Sequence, residues 1–242
     1  MTRLVQAIDQ LEHRGLPQHA LVGGIAVIAR LQQPHRATAD IDAVYLGDEG
    51  DAVQILLAHG ARPQANGVIL AGGEKVDLIS VGDYAVADLP ENAGERAFVL
   101  AHRWALDGAS RLTLVVTTSG GAVAAAVTTP VASVASLVAM KLASTRARRR
   151  GAQHKRASDV FDVFRLLSAH DADGSVARAL QSAPGDLAPI VRDLASVVLV
   201  EEAVRSARWL QAAGDPQMQD VTAEDLRRVG TPLRNNLGTA TP

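Results

Sequence analysis

Along the first half of the chain, the spacing of apolar residues changes from one stretch to the next. Leu4, Ile8 and Leu11 recur at helical spacing, and Gly15 with Pro17 ends that helix. His19-Ala20-Leu21-Val22 is a short apolar run closed by Gly23-Gly24, which predicts a buried strand turning sharply into a helix from Ile25 to about Leu31. Ala39 to Leu46 alternates charged and apolar residues as a strand does. Asp51 to His59 is helical by period, with Gly60 as its stop. Gly67 to Leu70 and Lys75 to Ile79 flank Gly72-Gly73-Glu74, an antiparallel hairpin pattern, and Arg111–Thr117 and Ala124–Thr128 read as further strands.

The pattern shifts at Thr129-Pro130, where a Thr at a cap position and a Pro at a first helical position predict a helix start. Helices are expected over Val131–Arg150, Lys155–His170, Ser175–Gln181, Leu187–Ala213 and Ala223–Val229. The tail from Gly230, with Pro232, Asn235, Asn236 and Gly238, is expected to be loose. The fold class is therefore α+β, with an α/β domain over 1–129 and a helical domain over 130–242.

Composition narrows the chemistry. The 242 residues are 48% hydrophobic and 21% charged, which marks a globular chain with a sizeable core. Without cysteine there can be no disulfide, thiolate zinc site or cysteine nucleophile. A net charge of −2 excludes whole-molecule attraction to nucleic acid, though not a local basic patch. Arg3, Asp9, Glu12 and Arg14 interrupt the N-terminus, and Gly120, Gly121 and Pro130 break the most apolar stretch. Neither a targeting segment nor a membrane span is expected, and the expected location is cytoplasmic.

The informative residues are carboxylates. On a strand Asp40 and Asp42 project to one face while Ile41 points into the core, and carboxylates about 6–7 Å apart repel unless a cation sits between them. Oxygen-only ligands favour Mg²⁺ or Mn²⁺. Asp77, inside Val76-Asp77-Leu78-Ile79, needs a partner to offset its burial, and it joins the cluster if its strand lies beside that of Asp40 and Asp42. Gly23-Gly24 supplies free N–H groups where a helix opens, a seat for a phosphate. Taken singly, a Gly-Gly is a turn and an Asp-x-Asp is solvated surface; together they are the minimum kit for phosphoryl or nucleotidyl transfer. Other chemistries lack support, since no pair among the seven His has metal-ligand spacing on a periodic segment and no Gly-x-Ser-x-Gly elbow occurs.

Gly-Gly followed some fifteen residues later by Asp-apolar-Asp resembles the signature of the DNA polymerase β-like nucleotidyltransferase superfamily. More narrowly, Leu21-Val22-Gly23-Gly24-Ile25-Ala26 and Arg36-x-Thr38-x-Asp40-Ile41-Asp42 resemble the AbiEii/AbiGii, or MenT-like, toxins of type IV toxin–antitoxin and abortive-infection systems. The resemblance implies a nucleotidyltransferase-type mixed sheet with flanking helices, followed by a helical bundle. It also implies transfer of NMP from an NTP, with Mg²⁺ or Mn²⁺ held by Asp40, Asp42 and Asp77. The triphosphate would be seated by Gly23, Gly24 and Thr38. The implied acceptor is RNA, at the 3′ end of tRNA, and the implied partner is an antitoxin. Gly24 stands where many superfamily members carry Ser.

The helical region carries two further blocks that resemble this group. Lys141, on the apolar run Val134–Leu142, is a snorkelling core lysine or a group that balances triphosphate charge. Asp159 and Asp162 share a helix face; they are a surface ion-pair set with Lys155 or, as the resemblance implies for Asp159, residues that position Lys141 or the substrate. Arg146, Arg148–Arg150, Lys155 and Arg156 form the densest basic stretch, a solubilising face or an RNA-phosphate contact. With few aromatics, RNA recognition by backbone and shape is expected rather than by base stacking. The alternatives are transfer to a small-molecule or protein hydroxyl, or a catalytically silent nucleotide-binding protein of the same fold.

Overall fold

A computed structural model of the protein describes residues 1–48, 50–82, 89–147 and 152–238. The chain divides into two compact units. The first comprises Met1–Gln33, the strands that follow Ala37, and Ala105–Ser133; the second takes Pro34–Arg36, the preceding helix up to Trp104, and the chain from Val134.

The first unit is built on strands β1 (His19–Val22), β2 (Asp40–Leu46), β3 (Arg62–Gln64), β4 (Gly67–Ile69), β5 (Lys75–Val81), β6 (Ser110–Thr117) and β7 (Val123–Val131). They form one mixed sheet in the order β3-β4-β5-β2-β1-β7-β6, with β2 parallel to β5 and β1 parallel to β7. β1 reads as an apolar run and is buried over Ala20–Val22, while β2, β5 and β7 bury Ile41, Val44, Val76 and Val131 beside their polar positions. Helix α1 (Thr2–Glu12) packs Leu4, Ile8 and Leu11 inward, and α2 (Gly23–Leu31) follows β1 without a loop. Helix α3 (Asp51–Ala58) ends before Gly60, whose φ of +83° lies in the left-handed region. The hairpin expected across Gly72-Gly73 is present as β4–β5, extended outward by β3.

The helix expected to start at Thr129-Pro130 begins instead at Val134. Both residues belong to β7, where Pro130 pairs with Arg111 of β6. The Thr129 hydroxyl, fully buried, donates to Glu12 Oε1 at 2.8 Å and so is not free to cap a helix. A helix missing from the sequence reading, α4, spans Ala93–Asp107.

The second unit contains α5 (Val134–Ala147), α6 (Gln153–His170), α7 (Ser175–Gln181), α8 (Leu187–Ala195), α9 (Ala203–Ala212), α10 (Pro216–Gln219) and α11 (Ala223–Gly238). The single helix expected over Leu187–Ala213 is interrupted by a π-helical turn at Ser196–Glu201. There the Glu202 N–H donates to Val197 O at 2.8 Å, and the buried Ser206 hydroxyl satisfies Val198 O. The tail expected to be loose is helical to Gly238, because Leu233 and Leu237 bury one face of α11. Among the described residues, no helix is long and apolar enough to cross a membrane.

Candidate active site

Parallel pairing of β2 with β5 sets Asp42 opposite Asp77 and Asp40 opposite Lys75. Because alternate residues share a face, all four side chains emerge on the same side of the sheet. Asp40, Asp42 and Asp77 each offer one carboxylate oxygen, and these oxygens lie within 4.8 Å of one another. All three residues are half-buried. The sequence placed these acids together only if the two strands were neighbours, and they are.

Gly23 closes the other side of the cluster. It has φ +64°, a conformation that L side chains rarely adopt, and a Cβ there would sit 2.8 Å from Asp42 Cβ and closer still to the carboxylate. Both backbone strain and space therefore require glycine at this position. Gly24 is buried in the first turn of α2. Thr38 lies half-buried in the segment that leads into β2.

A basic residue not singled out in the sequence completes the cluster. Lys75 Nζ donates to Asp77 Oδ2 at 2.6 Å and lies 4.0 Å from Asp40 Oδ2. The hydrogen bond to Asp77, reinforced by the charges of Asp77, Asp40 and Asp42, raises the lysine pKa over a smaller opposing effect of burial. The alternation Lys-x-Asp on a strand was the signal for it. Asp77 Oδ1 is buried and accepts no hydrogen bond. Three converging carboxylates, one with an unsatisfied buried oxygen and none accompanied by His or Cys, fit a hard divalent cation.

The second unit holds a separate ionic network. Lys141 Nζ lies 3.1 Å from Asp159 Oδ1 and 2.9 Å from Asp162 Oδ2. Asp162 also accepts from both Arg36 Nε and a terminal Arg36 nitrogen, at 2.8 and 2.7 Å, and from His35 Nε2 at 2.7 Å. Burial disfavours the Asp162 charge, but Lys141, Arg36 and His35 outweigh it and hold the carboxyl well below the usual range. Burial likewise opposes the Lys141 charge, and Asp162 and Asp159 overcome it, raising its pKa. Asp159 and Asp162 are thus both buried partners of Lys141 rather than a surface pair with Lys155. His35 and Arg36 are partners the sequence did not suggest.

Of the basic stretch, Arg146 and Lys155 are exposed, while Arg148–Arg150 lie outside the described residues. Trp209 of α9 is flanked by two guanidinium groups, with Arg156 at 5.6 Å and Arg205 at 5.2 Å from the ring. This aromatic-basic grouping was not anticipated: Arg205 is one helical turn before Trp209, but Arg156 stands some fifty residues away.

A mixed sheet that gathers three acids beside a glycine-opened helix defines a nucleotidyltransferase-type protein. The chain belongs to the AbiEii family, nucleotidyl transferase toxins of type IV toxin–antitoxin systems, whose family model matches residues 7–220. No curated protein matches the sequence. Among solved structures, the crystal structure of an antigenic nucleotidyltransferase-like protein from Paracoccidioides brasiliensis is similar. It shows 18% identity over 79% of this chain and 89% of that one, with a TM-score of 0.38.

Proposed function

We propose that this protein transfers NMP from an NTP to a hydroxyl of an RNA acceptor, the 3′ end of tRNA, in the cytoplasm, and that a cognate antitoxin silences it. The observation that carries the chemistry is the convergence of Asp40, Asp42 and Asp77 beside Gly23. These carboxylates would hold Mg²⁺ or Mn²⁺, which supplies charge neutralisation for the triphosphate and a more acidic acceptor hydroxyl. The N–H groups of Gly23 and Gly24 at the start of α2, with the Thr38 hydroxyl, are suited to seat phosphate oxygens. The acceptor oxygen forms a bond to the α-phosphorus, the bond to the bridging β-oxygen breaks, and pyrophosphate leaves. Asp77, one of these clustered acids, would take the acceptor proton. Lys141, kept charged by Asp159 and Asp162, is assigned to the charge on the leaving group by its resemblance to the family pattern.

An RNA acceptor is supported by the exposed cations Arg146 and Lys155 and by the guanidinium groups of Arg156 and Arg205 at Trp209, cations suited to backbone phosphates. Incubation with each α-³²P-labelled NTP, Mg²⁺ and total RNA tests the reading. Wild type should label RNA at its 3′ end, and Asp42→Asn should reduce labelling at least about a hundredfold, the scale of losing one preorganised electrostatic group. Undiminished labelling by Asp42→Asn overturns the mechanism, and label appearing in protein or in a small molecule overturns the acceptor.

A further inference from the structure

We propose that Lys75 is a built-in counter-ion of the acidic triad, whose ammonium holds the carboxylates together and competes with a divalent cation for their charge. This rests on the metal-dependent reading of the triad given above. Three features carry it. The strand register fixes Lys75 opposite Asp40 and two residues before Asp77, so its stem rises from the same face as the acids. Its ammonium already spans two of the three carboxylates, touching Asp77 Oδ2 at 2.6 Å and facing Asp40 Oδ2 at 4.0 Å. Its side chain keeps 35% of its surface in solvent, so the flexible stem has somewhere to swing when displaced.

One ammonium offsets part of the mutual repulsion of three carboxylates; its bond to Asp77 Oδ2 leaves Oδ1 as that residue's open oxygen, so it competes with a metal chiefly through its charge. Lys75 is thereby a positioning residue that sets how readily the triad accepts its cation. Its removal has two opposed effects: the metal-free protein loses stability, and the metal binds more tightly. A lysine that only supported the strand would give the first effect and weaken the second.

The test measures Mn²⁺ binding to nucleotide-free protein by the electron paramagnetic resonance of free Mn²⁺, and melting temperature in EDTA and in excess Mn²⁺. Lys75→Met should melt lower than wild type in EDTA, bind Mn²⁺ roughly tenfold more tightly as expected from losing one neighbouring positive charge, and show a larger Mn²⁺-induced rise in Tm. Lys75→Arg keeps the charge and should bind Mn²⁺ as wild type does. Lys75→Gln replaces the Met variant should that one fail to fold. Unchanged or weaker Mn²⁺ binding by the neutral variants overturns the proposal and leaves the metal-dependent reading intact. Absence of any Mn²⁺ binding that Asp42→Asn removes overturns both.

Discussion

Asp162 has no exposed side-chain surface and carries a charge, a combination that survives because its two oxygens contact Lys141, Arg36 and His35. Replacing it with Asn takes from Arg36 and Lys141 the buried carboxylate they share. The expected cost is about 3–5 kcal/mol, the range for breaking a buried pair from one side, measured by urea unfolding. The folded carboxyl titrates below its unfolded range, so the network's stability is complete above ordinary carboxylate pKa values and is lost as pH falls; Asp162→Asn should lack this acid-sensitive component. His102 makes a second residue-level prediction. Burial pushes its pKa from 6.5 down to about 4, against the pull of its hydrogen bond to Phe98 O. The neutral form fits the fold, so stability from this group is full above pH 6.5 and drains away as pH falls towards 4. A wild-type minus His102→Leu difference in unfolding free energy should slope over that window and be flat above it. The carboxylates of β2 and β5 were legible from residue types and alternation alone. The partners of Asp162 were not, because Arg36 stands 126 residues away and no local pattern links the two.

Among the elements, most strands and helices with a clean period were read correctly; α4 and β3 were missed, and two further errors fall where a tertiary contact overrides a local signal. Thr129-Pro130 has the sequence of a helix start, yet Glu12 takes the Thr129 hydroxyl and β6 pairs the backbone. Gly230 and Pro232 suggest a loose tail, yet α11 continues because its small residue is a packing site. A Cβ on Gly230 would lie 2.5 Å from Leu199 Cβ beside the π-helical turn. Gly230→Ala should therefore destabilise the protein, although alanine in a helix interior is ordinarily favoured by about 1 kcal/mol. A thermal melt showing higher stability in Gly230→Ala would mean that α11 packs differently against that turn.

At the scale of the whole molecule, a net charge of −2 leaves no general attraction for nucleic acid, so acceptor binding has to be local. Neutralising Arg156 and Arg205 with Gln should weaken RNA labelling and its dependence on salt while preserving the thermal shift produced by NTP and Mg²⁺. Equal labelling by that double variant would move the acceptor surface elsewhere. The composition of the second unit carries a last consequence. Pro34–Arg36 enters it from between α2 and β2, so the peptide that leads into the acid-bearing strand is anchored, through His35 and Arg36, on α6. A polypeptide beginning at Val134 would retain Lys141, Asp159 and Asp162 but lack the imidazole and guanidinium that complete their circuit.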